Sequence, residues 1–171
     1  MKPAPSLLGA ALAMLMGLGG AAHADKGDLF LSVAPMVDAV KTDQPAFGGA
    51  AALQLGANPW TDFTLEADWT GTGKSLSGDG VMETRILLGS LFTPFFGEMR
   101  PRFGGSGGVI HVQGPKGVDE VYFNLGFQLQ GLYDASDAIR LFAEVHPNAT
   151  FGDEGEFSTL VKAGIQVRLL N

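Results

Sequence analysis

The stretch FTLEADW, residues 63–69, alternates Phe63, Leu65, Ala67 and Trp69 with Thr64, Glu66 and Asp68. A helix would spread these side chains around its axis, whereas a strand sends successive ones to opposite sides, leaving one apolar and one polar face. The same period recurs downstream. Val121, Phe123, Leu125, Phe127 and Leu129 oppose Tyr122, Asn124, Gly126, Gln128 and Gln130, while Ile139, Leu141, Ala143 and Val145 oppose Arg140, Phe142, Glu144 and His146. Val161, Ala163, Ile165, Val167 and Leu169 oppose Leu160, Lys162, Gly164, Gln166 and Arg168. A soluble barrel turns its apolar face inward, and a transmembrane barrel turns it outward and encloses the polar face.

Eight segments carry strand character: 28–37, 47–56, 63–70, 81–92, 99–112, 120–131, 138–146 and 157–169. Most approach the 9 to 11 residues that a tilted strand needs to cross hydrocarbon. The connections ANPWTD, TPFFGE and LYDASD are compact and rich in turn-forming residues, and they alternate with mostly longer ones, including GTGKSLSGDG, QGPKGVD and PNATFGDEGE. In an up-and-down barrel all connections at one end share a parity, so this alternation separates a short-turn end from a long-loop end. The expected fold is all-β, an eight-stranded antiparallel up-and-down transmembrane β-barrel with short periplasmic turns, extracellular loops and both termini in the periplasm.

The beginning of the chain agrees with export. Residues 1–24 place Lys2 before the apolar run LLGAALAMLMGLGGAA and end in Ala22-His23-Ala24, the form of a signal peptide cleaved after Ala24. Residues 25–171 are then one barrel domain with a net charge of −8, against −7 for the whole chain. That balance offers no basic patch for nucleic acid. The absence of cysteine excludes a disulfide scaffold and a thiol enzyme.

With the polar face inside, Glu66, Asp68, Glu83, Arg85, Arg100, Arg102, Arg140, Glu144, Lys162 and Arg168 are expected to form one interior network, because isolated charges there would be costly and paired ones are not. Phe63, Leu65, Trp69, Phe123, Phe127, Ile139, Leu141, Ile165 and Val167 are expected to face lipid. The fifth strand, MRPRFGGSGGVIHV, holds Pro101, Gly104, Gly105, Gly107 and Gly108, which predict a bend or bulge. The glycines lack the Gly-Lys-Ser or Gly-Lys-Thr ending of a nucleotide loop. His111 and His146 are expected toward the long-loop end, near Glu144, Asp153 and Glu154. That grouping defines neither three directed metal ligands nor a nucleophile beside a base. The acidic GDEGE loop lacks calcium-loop spacing. No metal, cofactor or catalytic residue is therefore assigned.

RPRFGGSGGVIHV, YFNLGFQLQGLYDASDAIRLFAEV and the terminal VKAGIQVRL resemble the second half of small bacterial outer-membrane barrels of the OmpA/OmpX-like superfamily. The resemblance rests on the glycine-bearing strand after a Pro-containing turn, the turn at 134–137, an inward acidic residue at Glu144 and the Gly-x-x-x-Arg strand from Gly164 to Arg168. It implies the transmembrane barrel without a peptidoglycan-binding domain. Where related barrels finish with an aromatic residue read by the assembly machinery, this chain has Leu169-Leu170-Asn171.

The expected function is structural or surface-interacting. The barrel has a plugged polar interior and no catalytic turnover, it is monomeric among the lipids of a Gram-negative outer membrane, and any surface ligand is unassigned. Two alternatives stand beside this reading. One is a soluble periplasmic lipocalin-like lipid-binding barrel. The other is a lipid A-modifying acyl hydrolase: such enzymes carry a His-x-Ser-Asn pattern, and here His146-Pro147-Asn148-Ala149 keeps the histidine with Asn148 in the serine's place. That alternative requires Ser106 or Ser158 to be brought to His146.

Overall fold

Period-two patterning and turn chemistry produce eight consecutive antiparallel strands that close on themselves. The computed structural model describes residues 27–39, 46–72, 80–95, 97–152 and 156–170. The expected signal peptide and the loop residues Asp153 and Glu154 lie outside them. The strands are β1 (Leu29–Asp38), β2 (Ala46–Asn58), β3 (Thr61–Thr72), β4 (Met82–Phe92), β5 (Met99–Gly114), β6 (Val118–Asp134), β7 (Ile139–Phe151) and β8 (Glu156–Leu170). Each pairs with its sequence neighbours, and β1 pairs with β8, so the sheet is a closed barrel. Closure gives every strand two partners and removes the free edges that an open sheet would present.

Along β3, Phe63, Leu65 and Trp69 are exposed on the outside while Thr64, Glu66, Asp68 and Thr70 are buried inside. This is the reverse of a lipocalin-like barrel, which requires an apolar lumen. Exposed aromatics gather at both ends of the outer surface: Trp60, Phe92, Phe95 and Tyr133 at the short-turn end, and Phe47, Trp69, Phe151 and Phe157 at the other. From Trp60 to Trp69 the chain rises about 30 Å along the strand, or about 23 Å along the axis at a tilt of about 40°. That matches the roughly 25 Å apolar band of membrane barrels.

The strands run further than the sequence pattern predicts, and the largest extension is in β7. Pro147 suggests an end at His146, yet β7 continues to Phe151. The missing proline N–H interrupts the ladder only toward β6, where pairing lapses between Gly126 and Leu129, while Pro147 remains opposite Thr159 on β8. Two expected long loops are thereby reduced: β5 and β6 meet across a 3-10 turn at Pro115–Gly117, and β7 reaches β8 across residues 152–155.

The expected bulge in β5 is absent. Its pairing with β4 and β6 runs without a register shift from Phe103 through Val109, and inward Arg102, Ser106 and Ile110 keep the alternation. The glycines serve close approach instead. A Cβ on Gly104 would lie 1.7 Å from the carbonyl oxygen of Ser90, and one on Gly108 would lie 2.0 Å from that of Ile86. Register shifts occur elsewhere, at Gly56/Asn58 and Leu29/Phe30.

Candidate functional site

The candidate site is the barrel interior, where alternate residues of all eight strands converge. Nine of the ten expected network residues are buried there, and Arg168 is partly exposed near the short-turn opening, its guanidinium 3.4 Å from Asp28. The nine expected outward residues are all exposed on the outer surface. The interior is more mixed than the sequence pattern suggests, since Phe30, Leu87, Leu91, Ile110, Leu132, Phe142 and Leu160 are buried among the polar groups.

The charges fall into three groups. At the short-turn end Arg100 grips both carboxylate oxygens of Asp134, which also accepts from Arg140 Nε at 2.9 Å. The Arg140 guanidinium lies 3.7 Å from the Phe30 ring centroid, a cation–π contact on its remaining face. Arg102 binds Asp62 and donates to Gln54 and Gln130 at 3.1 and 3.0 Å. Toward the long-loop end Arg85 lies 3.2 Å from Asp68 and 2.5 Å from Glu83, and it also donates to Thr70.

Between these groups, Lys162 of β8 hydrogen-bonds Glu66 of β3 and lies 3.0 Å from Glu144 of β7. Gln130 joins the centre to the short-turn group, accepting from Arg102 and donating to Glu144 at 2.9 Å. Each of the ten expected charges thereby has an ionic partner, with Glu83 and Arg85 meeting on one strand and the other pairs joining different segments of the wall, in a setting where an unpaired charge would carry a large desolvation cost.

Asp28, Asp62 and Asp134 complete the arginine pairs and were not part of the expected network. Asp62 and Asp134 fell in presumed turns, yet Asp62 shares the parity of Glu66 and Asp68, and Asp134 that of Gln128 and Gln130. Parity carried one residue before the expected start at 63 and three residues past the expected end at 131 would have found the latter two.

His111 and His146 lie on opposite faces of the wall and form no common cluster. His111 is outward and paired with Asp119, whereas His146 is fully buried in the lumen. There Ser106 Oγ lies 2.8 Å from His146 Nε2, so the contact required by the hydrolase alternative exists. Its polarity is wrong for that chemistry. Lys162 Nζ lies 3.3 Å from Nδ1, and an ammonium can only donate, so a neutral His146 ring carries its proton on Nε2 and donates to Ser106. A general base would present the lone pair of Nε2 to the hydroxyl instead. Glu144, which would orient the base in a triad, is 3.6 Å from Nδ1 and is neutralised by Lys162.

The void beside Glu66, Glu144 and Lys162, which Ser32, Gln54 and Gln130 also line, has a volume of about 10 Å³, close to the minimum for one water.

No protein-family model matches the chain, and no curated protein matches it. Among solved structures it is similar to the crystal structure of Neisserial surface protein A (NspA), with a TM-score of 0.69 at 15% identity over 84% of this chain and 97% of that one. It is also similar to Ail, the attachment invasion locus protein of Yersinia pestis, in complex with the heparin analogue sucrose octasulfate. The TM-score there is 0.53 at 13% identity, over 84% of this chain and 99% of that one. At such identities the shared property is architecture. The chain has the eight-stranded antiparallel barrel fold of small outer-membrane proteins.

Proposed function

We propose that this chain is a structural or surface-interaction barrel of a Gram-negative outer membrane, with a plugged interior and no catalytic turnover. The observation that carries this reading is the pairing of an outward apolar band with an ion-paired lumen, in which the void beside Glu66, Glu144 and Lys162 is only about 10 Å³. In this reading residues 1–24 are removed on export, both termini are periplasmic, and one copy is surrounded by lipid. Phe63, Leu65, Trp69, Phe123, Phe127, Ile139, Leu141, Ile165 and Val167 meet that lipid, and the loop-bearing end is the surface available to an external partner. The Ser106–His146 contact acts as a structural hydrogen bond.

Two measurements test this reading. Purified barrel in planar bilayers is expected to give no reproducible open conductance, and a steady conductance from the monomer would overturn the plugged interior. Nitroxide labels at L65C and E66C in reconstituted protein are expected to show high oxygen accessibility at 65 and low at 66. The opposite pattern would overturn the transmembrane orientation.

A further inference from the structure

Lys162 ends in a nest contributed by two other strands. Its Nζ hydrogen-bonds Glu66 Oε1, lies 3.0 Å from Glu144 Oε1 and lies 3.3 Å from His146 Nδ1. One ligand atom from each of these three residues lies within 4.8 Å of the others, and all three side chains are buried. Two carboxylates and an imidazole converging on one point are the donors of a three-residue transition-metal site with positions left for water.

The surrounding contacts already hold the donors in ligating orientation. His146 Nε2 is engaged by Ser106 Oγ, which turns the lone pair of Nδ1 toward the centre, and Gln130 fixes the other oxygen of Glu144. Metal-binding histidines and carboxylates are oriented by outer partners of this kind.

We propose that the Lys162 ammonium occupies the place of a divalent transition ion, so that Glu66, Glu144 and His146 form a metal site closed by the protein's own cation. The native chain then excludes metal because a tethered positive charge already satisfies both carboxylates. Removing that side chain frees three donors and the space for an ion with its waters. The mixed nitrogen and oxygen set selects Zn²⁺ or a neighbouring transition ion over Mg²⁺, which prefers oxygen ligands in an octahedral shell.

The test compares wild type, K162A, K162M and K162A/H146A, each refolded into detergent micelles with Zn²⁺, Mg²⁺ or EDTA and unfolded by heat under circular dichroism. The chain has no cysteine to compete for the ion. Zn²⁺ is expected to leave wild type unchanged and to raise the unfolding midpoint of K162A by about 5 to 10 °C at concentrations well above its dissociation constant. Folding of K162A or K162M only when Zn²⁺ is present is an equally positive result. The proposal is overturned if K162A folds without a Zn²⁺ response, if Mg²⁺ acts as strongly, or if the response survives in K162A/H146A. Failure of both single variants to fold even with Zn²⁺ also overturns it, since the ion is then unable to replace the ammonium.

Discussion

Ser106 Oγ and His146 Nε2 lie 2.8 Å apart, on strands β5 and β7, inside a wall that closes over both. With Lys162 donating to the far side of the ring, this contact is a hydrogen bond from imidazole to hydroxyl. S106A is therefore expected to leave one buried donor unmatched and to lower stability by about 1 to 3 kcal/mol, read from urea unfolding in micelles. Mass analysis of lipopolysaccharide acyl chains is expected to be identical with wild type, with S106A and with no protein. Loss of a fatty acid that depends on Ser106 would reverse the assignment.

Asp134 holds two arginines at once, Arg100 and Arg140. D134N removes the charge that both require and leaves two guanidinium groups facing a neutral amide, so it is expected to cost about 3 kcal/mol or more. The double variant D134N/R100M is expected to recover part of that loss, because one of the two cations that share Asp134 leaves with its stem volume retained. Additive losses in this double-mutant cycle would show that the two groups are energetically independent.

Gly104 and Gly105 are adjacent in sequence and opposite in consequence. A Cβ at Gly104 would lie 1.7 Å from the Ser90 carbonyl oxygen, whereas one at Gly105 meets nothing nearer than 3.7 Å. G104A is expected to block refolding or to leave a strongly destabilised barrel. G105A is expected to fold to wild-type yield, with a stability change of about 0.5 kcal/mol or less. Equal yields of the two variants would refute the close approach of β5 to β4.

Charge placed on the outer surface should be penalised according to depth. Leu65 lies midway between the aromatic ends of β3, and Phe157 lies at the loop-bearing edge. L65R is expected to cost about 2 to 4 kcal/mol in bilayers and F157R about 0 to 1 kcal/mol. Equal costs at the two depths would mean that no hydrocarbon band surrounds the barrel.

The strand faces were legible because period two is a local signal: Glu66 and Asp68 could be assigned to one side from seven residues. Strand ends were less so, because the evidence for extending β7 through Pro147 is the partner strand, where Thr159 stands opposite it. Charge pairing was hidden for the same reason. Lys162 and Glu66 are 96 residues apart and meet only when the sheet closes. Gly104 and Gly108 were recognisable as unusual, but whether they kink a strand or let it pass close to a neighbour depends on carbonyls of β4 that no local pattern reveals.

The seam between β1 and β8 sets Leu29 opposite Leu170, and it brings Gly164 so near β1 that a Cβ would lie 2.1 Å from the Val33 carbonyl oxygen. The barrel is thus completed by its earliest and latest strands. A nascent chain lacking β8 has two unpaired borders and no stable place in hydrocarbon, where exposed backbone groups find no water. Closure at this seam is accordingly all-or-none: without β8, the backbone groups along the open borders of β1 and β7 lose their partners together.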